Sequence, residues 1–280
     1  MAVAGNELCG SIGGGVMEVT LVERGRSMLS ASNTPLIVDQ VHRENSPSAS
    51  GMICSGEQTV ILKVLTTDDV ANVDRIVSSL ETRDGSRLSL TSDDIYVLPP
   101  EGGTQSDSFY FDRRGETDFT YVEQLGKKND LYIVGGGHCS LALSELMSRM
   151  DFQIHIFDDR PELNTIGKNA FADQIEILAN YELIGGSIPD GENVYIVVMT
   201  LGYKSDELVV RKLIDKDVRY LGVLGSKAKM GTMLKRLRSG GLDTDRLARI
   251  RTPIGVPINS HTPEEIAISI AAEIISVKNT

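Results

Sequence analysis

The sequence has no tryptophan, and aromatic side chains make up only 5% of its 280 residues. Cysteine is also scarce, because only Cys9, Cys54 and Cys139 occur, far apart and without a CxxC pair. An odd and scattered set of cysteines argues against structural disulfides and against a tetrathiolate zinc site, and it is typical of a reducing compartment. We therefore expect a cytoplasmic protein.

Long hydrophobic runs are missing as well. The N-terminus has no basic segment followed by an apolar stretch, so no signal peptide is expected. The apolar segment at residues 266–277 is interrupted by Glu273 and is too short to span a bilayer. Basic residues are outnumbered 28 to 39, which gives a formal net charge of −11 and a pI near 4.9. Such a surface favours neither nucleic acid nor an anionic membrane as a partner.

What the sequence does contain is a strand, a glycine turn and a helix start in succession. Residues 131–134 have strand character, three glycines follow at 135–137, and leucine and methionine then recur at helical spacing. We call residues 135–137 the C-terminal glycine turn. This layout is the fingerprint of a dinucleotide-binding βαβ unit, although its third small position is Ser140 rather than glycine.

Each small residue has a physical role in this fingerprint. Gly135 permits the tight turn, Gly137 lets the backbone approach a phosphate, and the third position allows helix and strand to lie close together. Twenty-one residues after Gly137, an alternating strand ends in Asp158 and Asp159. A carboxylate at that place accepts hydrogen bonds from a ribose hydroxyl, and Asp158 would favour NAD over NADP.

A polar segment at residues 126–130 divides the chain. Residues 1–125 predict an α+β domain without internal repeats, and residues 126–280 predict an α/β domain with a Rossmann-like, doubly wound parallel sheet. The expected elements of the first domain are helices at 16–30 and 68–82 and strands at 35–39, 59–65, 95–98, 108–111 and 119–122. Those of the second are strands at 131–134, 153–157, 174–178, 194–199 and 219–224, with helices at about 138–150, 205–215, 227–239 and 263–276.

Two further strand ends of the second domain carry polar groups, and ligands of such sheets bind at the carboxyl ends of strands. Thr200 and Tyr203 follow the fourth strand, while Gly225 and Ser226 follow the fifth and precede a lysine-rich helix. Exposed amides and lysines there suit a phosphate, but ordinary helix capping by Ser226 explains the same residues equally well. His138 is an isolated candidate, because a histidine beside a glycine turn is more often a packing or polar contact than a catalyst.

A second run of three glycines, Gly13, Gly14 and Gly15, precedes a helical pattern that starts at residue 16. We call it the N-terminal glycine turn. Amide groups ahead of a helix form a ready anion site. A simple flexible turn before the helix is an equally good interpretation.

Several stretches, in order along nearly the whole chain, resemble the XdhC/CoxI family of accessory factors for molybdenum hydroxylases such as xanthine dehydrogenase. They are residues 10–18, 51–56, 133–138, 157–162, 198–200, 220–226, 252–258 and 262–270. The chain departs from the family pattern at Val16, where cysteine is common, at Ser55, where glycine is usual, and at Leu201, where histidine usually follows threonine. It also begins where the family already has an N-terminal strand.

The resemblance implies a factor that binds molybdenum cofactor (molybdopterin), keeps its sulfurated form and helps to insert it into a xanthine dehydrogenase-type apo-enzyme. A cysteine desulfurase is a further implied partner, and we expect a homodimer. Cys54 is implied as a soft ligand to the metal. The implied cofactor-binding residues are Gly13, Gly14, Gly15, Cys54, Gly135, Gly136, Gly137, His138, Asp158, Thr200, Gly225 and Ser226.

No catalytic residue is assigned, so we expect a binding factor rather than an enzyme. Two alternatives stay open. An NAD(P)-dependent oxidoreductase would use Gly135, Gly137 and Asp158, with Tyr203 or His138 as proton donor. A nucleotide-sensing or protein-binding module would keep the Rossmann-like cleft without chemistry.

Overall fold

The computed structural model describes residues 1–31, 34–42, 56–82, 84–100 and 109–280. The chain divides into two compact units, Met1–Gly126 and Lys127–Thr280.

The first unit combines two helices with antiparallel strands. The elements are β1 (Ala2–Val3), β2 (Leu8–Cys9), α1 (Gly15–Ala31), β3 (Leu36–His42), β4 (Gly56–Leu62), α2 (Val70–Thr82), β5 (Arg87–Thr91), β6 (Ile95–Leu98), β7 (Phe109–Arg113) and β8 (Phe119–Gln124). Strands β1 and β2 pair with each other, as do β3 and β4, and the other four form one sheet in the order β6-β5-β8-β7. Phe119 and Ile95 are buried in this sheet. Strand β5 was not predicted from the sequence.

The second unit alternates strands and helices. The elements are β9 (Asn129–Val134), α3 (His138–Met147), β10 (Phe152–Asp158), α4 (Asn164–Gly167), β11 (Gln174–Ile177), α5 (Ile184–Ser187), β12 (Gly191–Val198), α6 (Tyr203–Leu213), β13 (Val218–Val223), α7 (Lys227–Ser239), α8 (Thr244–Ala248) and α9 (Pro263–Lys278). All five strands are parallel, in the order β11-β10-β9-β12-β13. The predicted Rossmann-like sheet is confirmed, with α4, α5 and α8 as unpredicted short helices.

Both faces of this sheet are covered by helices. Alternate residues of β9 point to opposite sides, so that Leu131 and Ile133 join the core under α3 and α9, while Tyr132 and Val134 join the core under α6 and α7. Burial on both faces explains why the strands read as continuous apolar runs. Helix α9 begins at the capping box formed by Thr262, and this is the start that the sequence predicted.

The sheet has a switch point between β9 and β12, where the sequential order of the strands across the sheet reverses. The chain leaves β9 through α3 toward β10 on one side, and β12 lies on the other side of β9. Such a switch point opens a crevice at the carboxyl ends of the strands, which is where open α/β sheets bind ligands. Among the helices in the described ranges, none is both long and apolar enough to cross a membrane.

Candidate functional site

Backbone hydrogen bonds hold several loops together at the carboxyl edge of the parallel sheet. The Gly135 N–H donates to the carbonyl of Phe157 at 2.7 Å. The Met199 N–H donates to the carbonyl of Val134 at 2.8 Å. The ends of β10, β9 and β12 are thereby fixed side by side at the switch point.

Gly135 lies in direct contact with the backbone after β12. Its φ is +113°, and a Cβ atom at this position would overlap the carbonyl group of Met199 and lie 2.9 Å from the nitrogen of Thr200. A side chain does not fit into that space, so glycine is what lets the loops after β9 and β12 touch. This geometry matches the tight turn expected at Gly135.

Gly136, the middle glycine of the turn, is held on three sides. Its N–H donates to Oδ2 of Asp158 at 2.6 Å, and its carbonyl accepts a hydrogen bond from the hydroxyl of Thr165 in α4. A Cβ atom here would lie 2.7 Å from Cγ1 of Ile166. The backbone groups of Gly136 are therefore used inside the protein.

Asp158 is fully buried at the end of β10 and accepts four hydrogen bonds. Oδ2 binds the Gly136 N–H and Nη2 of Arg160 at 2.7 Å, while Oδ1 binds the backbone N–H of Arg160 at 2.9 Å and its Nε at 2.8 Å. Burial by itself raises the pKa of this carboxyl, but the donors, the Arg160 side chain first, outweigh it and hold the pKa of Asp158 below its usual value. Asp158 is thus an ionised support of the turn, and its role as a ribose ligand stays a prediction.

Gly137 faces open space at the start of α3. Its backbone is extended (φ −71°, ψ −169°), and no atom of the described residues lies within 4 Å of the place where its Cβ would be. Gly137 provides no side-chain cap for α3, so the first N–H groups of this ten-residue helix are left available to an anion. His138 is exposed beside this opening, whereas Ser140 is fully buried.

Thr200 is bound by a carboxylate that was not predicted from the sequence. Oδ1 of Asp206 accepts the Thr200 N–H at 3.0 Å and the Thr200 hydroxyl at 2.7 Å. Asp206 lies in the first turn of α6 and is 2% exposed. Burial raises the pKa of Asp206 above its ordinary value, although the Thr200 hydrogen bonds and the charge of Lys229 act in the opposite direction. Leu201, which follows Thr200, is 80% exposed.

Ser226 caps the helix that follows β13. Its hydroxyl accepts the backbone N–H of Lys229 at 3.4 Å, so the capping alternative named from the sequence is present. Ser226, Lys227 and Lys229 are exposed, and capping leaves them accessible to an anion. Gly225 is covered by Met230, whose Sδ would lie 3.1 Å from a Cβ atom at that glycine.

Tyr203 packs on the surface of α6 and α7. The guanidinium carbon of Arg236 lies 5.4 Å from the centre of its ring, and the tyrosine hydroxyl accepts a hydrogen bond from Nη1 of Arg236 at 3.5 Å. Glu207 binds the same guanidinium at 3.1 Å. These contacts give Tyr203 a packing role.

In the first unit, the N-terminal glycine turn already holds a carboxylate. Oε2 of Glu18 accepts hydrogen bonds from the Ser11 hydroxyl at 2.6 Å, the Ile12 N–H at 2.8 Å and the Gly14 N–H at 3.1 Å. All three glycines of the turn have φ between +73° and +124°, and the Gly13 N–H donates to the Ser11 hydroxyl at 3.2 Å. The donors to Glu18, Ser11 first, hold the pKa of Glu18 below its usual value.

Cys54, the implied metal ligand, lies outside the described residues. Within the described ranges, no group of three or more His, Cys, Asp or Glu side chains is placed to hold a metal ion. Cys9 and Cys139 are free cysteines. Burial and the nearby Glu264 raise the pKa of Cys139, which keeps it in the thiol form at neutral pH.

The structure gathers Gly135, Gly136, Gly137, Asp158 and Thr200 at one edge of the second unit. Three partners were missed by the sequence analysis, namely Arg160, Asp206 and Glu18. The sequence contains a feature that points to each of these three residues. Glu18 and Arg160 belong to stretches that carry the family resemblance, and Asp206 occupies the first helical turn after a strand, a favoured place for an acid.

A parallel sheet with a reversal of strand order, a glycine turn at the reversal and a carboxylate at the end of the next strand define a Rossmann-type domain. A sequence profile described as the XdhC Rossmann domain matches residues 131–274, more than half of the chain. The chain belongs to the XdhC family.

Two curated relatives share 29% identity with the chain. One is YqeB of Escherichia coli strain K12, an uncharacterised protein that matches over 165 residues, 57% of this chain and 29% of that protein. The other, from Bacillus subtilis strain 168, is named as a probable component of xanthine dehydrogenase and matches over 163 residues, 58% of this chain and 47% of that protein. The match therefore covers less than half the length of either relative.

A crystal structure from Bacillus halodurans, named as a xanthine dehydrogenase, has a similar fold. It superposes with a TM-score of 0.69 over 97% of this chain and 83% of that chain, at 20% identity. At this level of identity the likeness shows the fold alone.

Proposed function

We propose that the chain is an accessory factor that binds molybdenum cofactor and assists its sulfuration and its insertion into a xanthine dehydrogenase-type molybdenum hydroxylase. A cysteine desulfurase would be the source of sulfur, and a homodimer would be the working form. Membership of the XdhC family and the name of the Bacillus subtilis relative support the link to xanthine dehydrogenase.

The observation that carries the proposal is that one part of the C-terminal glycine turn is open to a ligand, whereas another part is hydrogen-bonded inside the protein. Gly137 and the N-terminus of α3 are open to an anion, and the exposed Ser226, Lys227 and Lys229 lie at the start of a second helix. Asp158, the residue that would read a sugar, is used by the protein itself. A ligand that ends in a phosphate suits this edge, and the pterin of molybdenum cofactor ends in one.

The distribution of charge also favours the second unit as the location of the phosphate site. Residues 1–126 contain 19 Asp and Glu against 9 Lys and Arg, whereas residues 127–280 contain 20 against 19. A phosphate therefore meets nearly balanced charge in the second unit and a large negative excess in the first.

The molybdenum end of the cofactor needs a different ligand from the phosphate end. When bound, the cofactor brings a molybdenum–sulfur group, for which a thiolate is a suitable neighbour. Cys139 is kept as a thiol by burial, so this role is proposed for Cys54.

The phosphate end is tested by substituting Gly137. In Gly137→Val the new side chain enters open space, so the fold is kept while the space in front of α3 is filled. Gly186→Val is the matched control, because a Cβ atom at that exposed glycine also has no described atom within 4 Å. The purified full chain is incubated with molybdenum cofactor, and retained molybdenum and pterin are measured after gel filtration. We expect retention by the wild type and by Gly186→Val, and at least a tenfold loss in Gly137→Val.

The metal end is tested with a pair of cysteine variants. Cys54→Ala should lose molybdenum more readily than the wild type, whereas Cys9→Ala, which removes an exposed free cysteine, should behave as the wild type. If the wild type retains no cofactor, the proposal fails. If it retains cofactor and both cysteine variants match it, cofactor binding stands and the role of Cys54 is removed.

A further inference from the structure

The carboxylate at the end of the second strand decides whether a Rossmann-type cleft accepts a dinucleotide. In such clefts this group accepts hydrogen bonds from the ribose hydroxyls. An ionised carboxylate has two oxygens with about four lone-pair positions in all. A diol can bind only where some of those positions are free.

In this chain all four positions are used. Two hydrogen bonds reach each oxygen of Asp158, at distances of 2.6 to 2.9 Å, and three of the four donors belong to Arg160. The fourth donor is Gly136 in the glycine turn. Because Asp158 is 0% exposed, water does not compete for the carboxylate either.

The contacts between Asp158 and Arg160 are local in sequence. Arg160 follows Asp158 by two residues and binds it through both backbone and side chain. Pro161 comes next, and a proline restricts the residue before it to an extended backbone. The side chain of Ile166 lies against Gly136 and holds this part of the C-terminal glycine turn in place.

Arg160 also does not provide the alternative found in NADP sites, where an arginine binds the 2′-phosphate. Its Nε and Nη2 are directed to Asp158. The exposed Asp159 carboxylate lies 4.0 Å from Nε and adds a second negative charge at this strand end. A phosphate dianion would be repelled there.

We propose that Arg160 is a specificity-determining residue that occupies the hydrogen-bonding capacity of Asp158, so that the cleft excludes adenine dinucleotides and keeps only its phosphate position open. The ligand class that this leaves is a phosphate ester without a ribose diol at the end of β10. This property of Arg160 is independent of whether molybdenum cofactor is the cargo.

The proposal is tested by asking whether a variant of Arg160 gains the ability to bind an adenine dinucleotide. NAD⁺ and ADP-ribose are titrated by calorimetry into the wild-type chain and into Arg160→Lys, a variant that keeps the positive charge beside Asp158 but supplies fewer donors. Arg149→Lys is the matched control, because this arginine is exposed on the surface of the same unit. We expect no binding to the wild type or to Arg149→Lys at 1 mM ligand, and at least a tenfold tighter association with Arg160→Lys.

A second substitution separates ribose recognition from general loosening of the site. Adding Asp158→Asn to Arg160→Lys should abolish the gain, since the amide offers one oxygen instead of two. Arg160→Gln provides a second way to free the carboxylate, and circular dichroism checks that each variant is folded. Submillimolar binding of ADP-ribose by the wild type overturns the proposal, and so does a folded Arg160→Lys or Arg160→Gln that gains nothing. Binding of inorganic phosphate, expected to be equal in all these proteins, reports on the phosphate position alone.

Discussion

The N-terminal glycine turn and the C-terminal glycine turn both donate backbone N–H groups to a carboxylate of their own unit. In the first turn, Gly14 donates to Glu18, as does Ile12 just before the turn; Glu18 lies in the helix that the turn precedes and is only partly buried. In the second turn, Gly136 alone donates to a carboxylate, and this acceptor, Asp158, is fully buried at the end of the neighbouring strand.

The position of the carboxylate decides which amides are left for a ligand. Glu18 sits where an anion in front of α1 would sit, so the first turn is satisfied from within. Asp158 approaches the second turn from the side and leaves Gly137 and the start of α3 open. Three glycines before a helix therefore predict a turn, but they do not predict a vacant anion site.

Alanine substitutions along the two turns should give the largest difference between them. Gly135→Ala places a Cβ against the Met199 carbonyl at a φ of +113°, so we expect a loss of about 4 kcal/mol of unfolding free energy. Gly14→Ala meets only the left-handed backbone, with no described atom near its Cβ, and should cost about 1 kcal/mol. Gly137→Ala should cost less than about 1 kcal/mol, because its φ is negative and its surroundings are open. Urea unfolding followed by circular dichroism measures all three, and equal costs would contradict the comparison.

Removal of the buried carboxylate should have the next largest effect. Asp158→Ala leaves the Gly136 N–H and the Arg160 guanidinium without their shared acceptor, so we expect a loss of about 3 kcal/mol. Asp159→Ala, one residue further along and exposed, is the control and should change the stability by less than about 0.5 kcal/mol.

The stability of the wild type relative to Asp158→Ala should also depend on pH, and the direction follows from the pKa of Asp158. Because the folded pKa of Asp158 lies below its usual value, its contribution is complete above the unfolded value of about 4 and is lost as the pH falls through the lower folded value. The difference in stability between the wild type and Asp158→Ala should therefore be constant near neutrality and shrink in acid. A difference that grows as the pH falls would refute this assignment.

The sequence predicted the parallel sheet because strands buried on both faces carry continuous apolar runs, as in residues 131–134. It predicted Gly135 because the steric demand of a tight turn admits few residues. It missed β5, although the alternation of Leu88 and Leu90 with polar residues is a strand pattern; the strand is only five residues long, and its buried residue is the polar Ser89. It also missed Arg160 as the partner of Asp158, because the saturation of a carboxylate depends on side-chain directions that spacing does not contain.

Asp206 should have a smaller effect, and one that separates hydrogen bonding from charge. Asp206→Ala removes the acceptor of the Thr200 N–H and hydroxyl and should cost about 2 kcal/mol. Asp206→Asn keeps an acceptor oxygen and should stay within about 1 kcal/mol of the wild type at pH 7. Asp217→Asn, at a side chain that is 98% exposed, serves as the control.

The pH dependence at Asp206 runs in the opposite direction to that at Asp158. Burial raises the folded pKa of Asp206, so its protonated form stabilises the fold fully below about pH 4, and this contribution is lost as the pH rises through the folded pKa. The wild type should thus lose stability relative to Asp206→Asn between acid and neutral pH. Parallel pH profiles for the two proteins would show that Asp206 titrates normally.

The smallest effect is expected at Glu18, and it should be local. The hydrogen bonds to Ser11, Ile12 and Gly14 lower the pKa of Glu18, so they persist above the ordinary glutamate value of about 4.3 and are lost as the pH falls through the lower folded value. In a pH titration followed by ¹⁵N–¹H NMR, the amide signals of Ile12 and Gly14 should move together with one midpoint below about 4.3. Glu18→Gln should abolish this movement, whereas Glu23→Gln, an exposed substitution on the same helix, should leave it intact. Amide signals that do not move in the wild type would mean that Glu18 leaves the turn free in solution, and the two glycine turns would then offer a ligand the same kind of site.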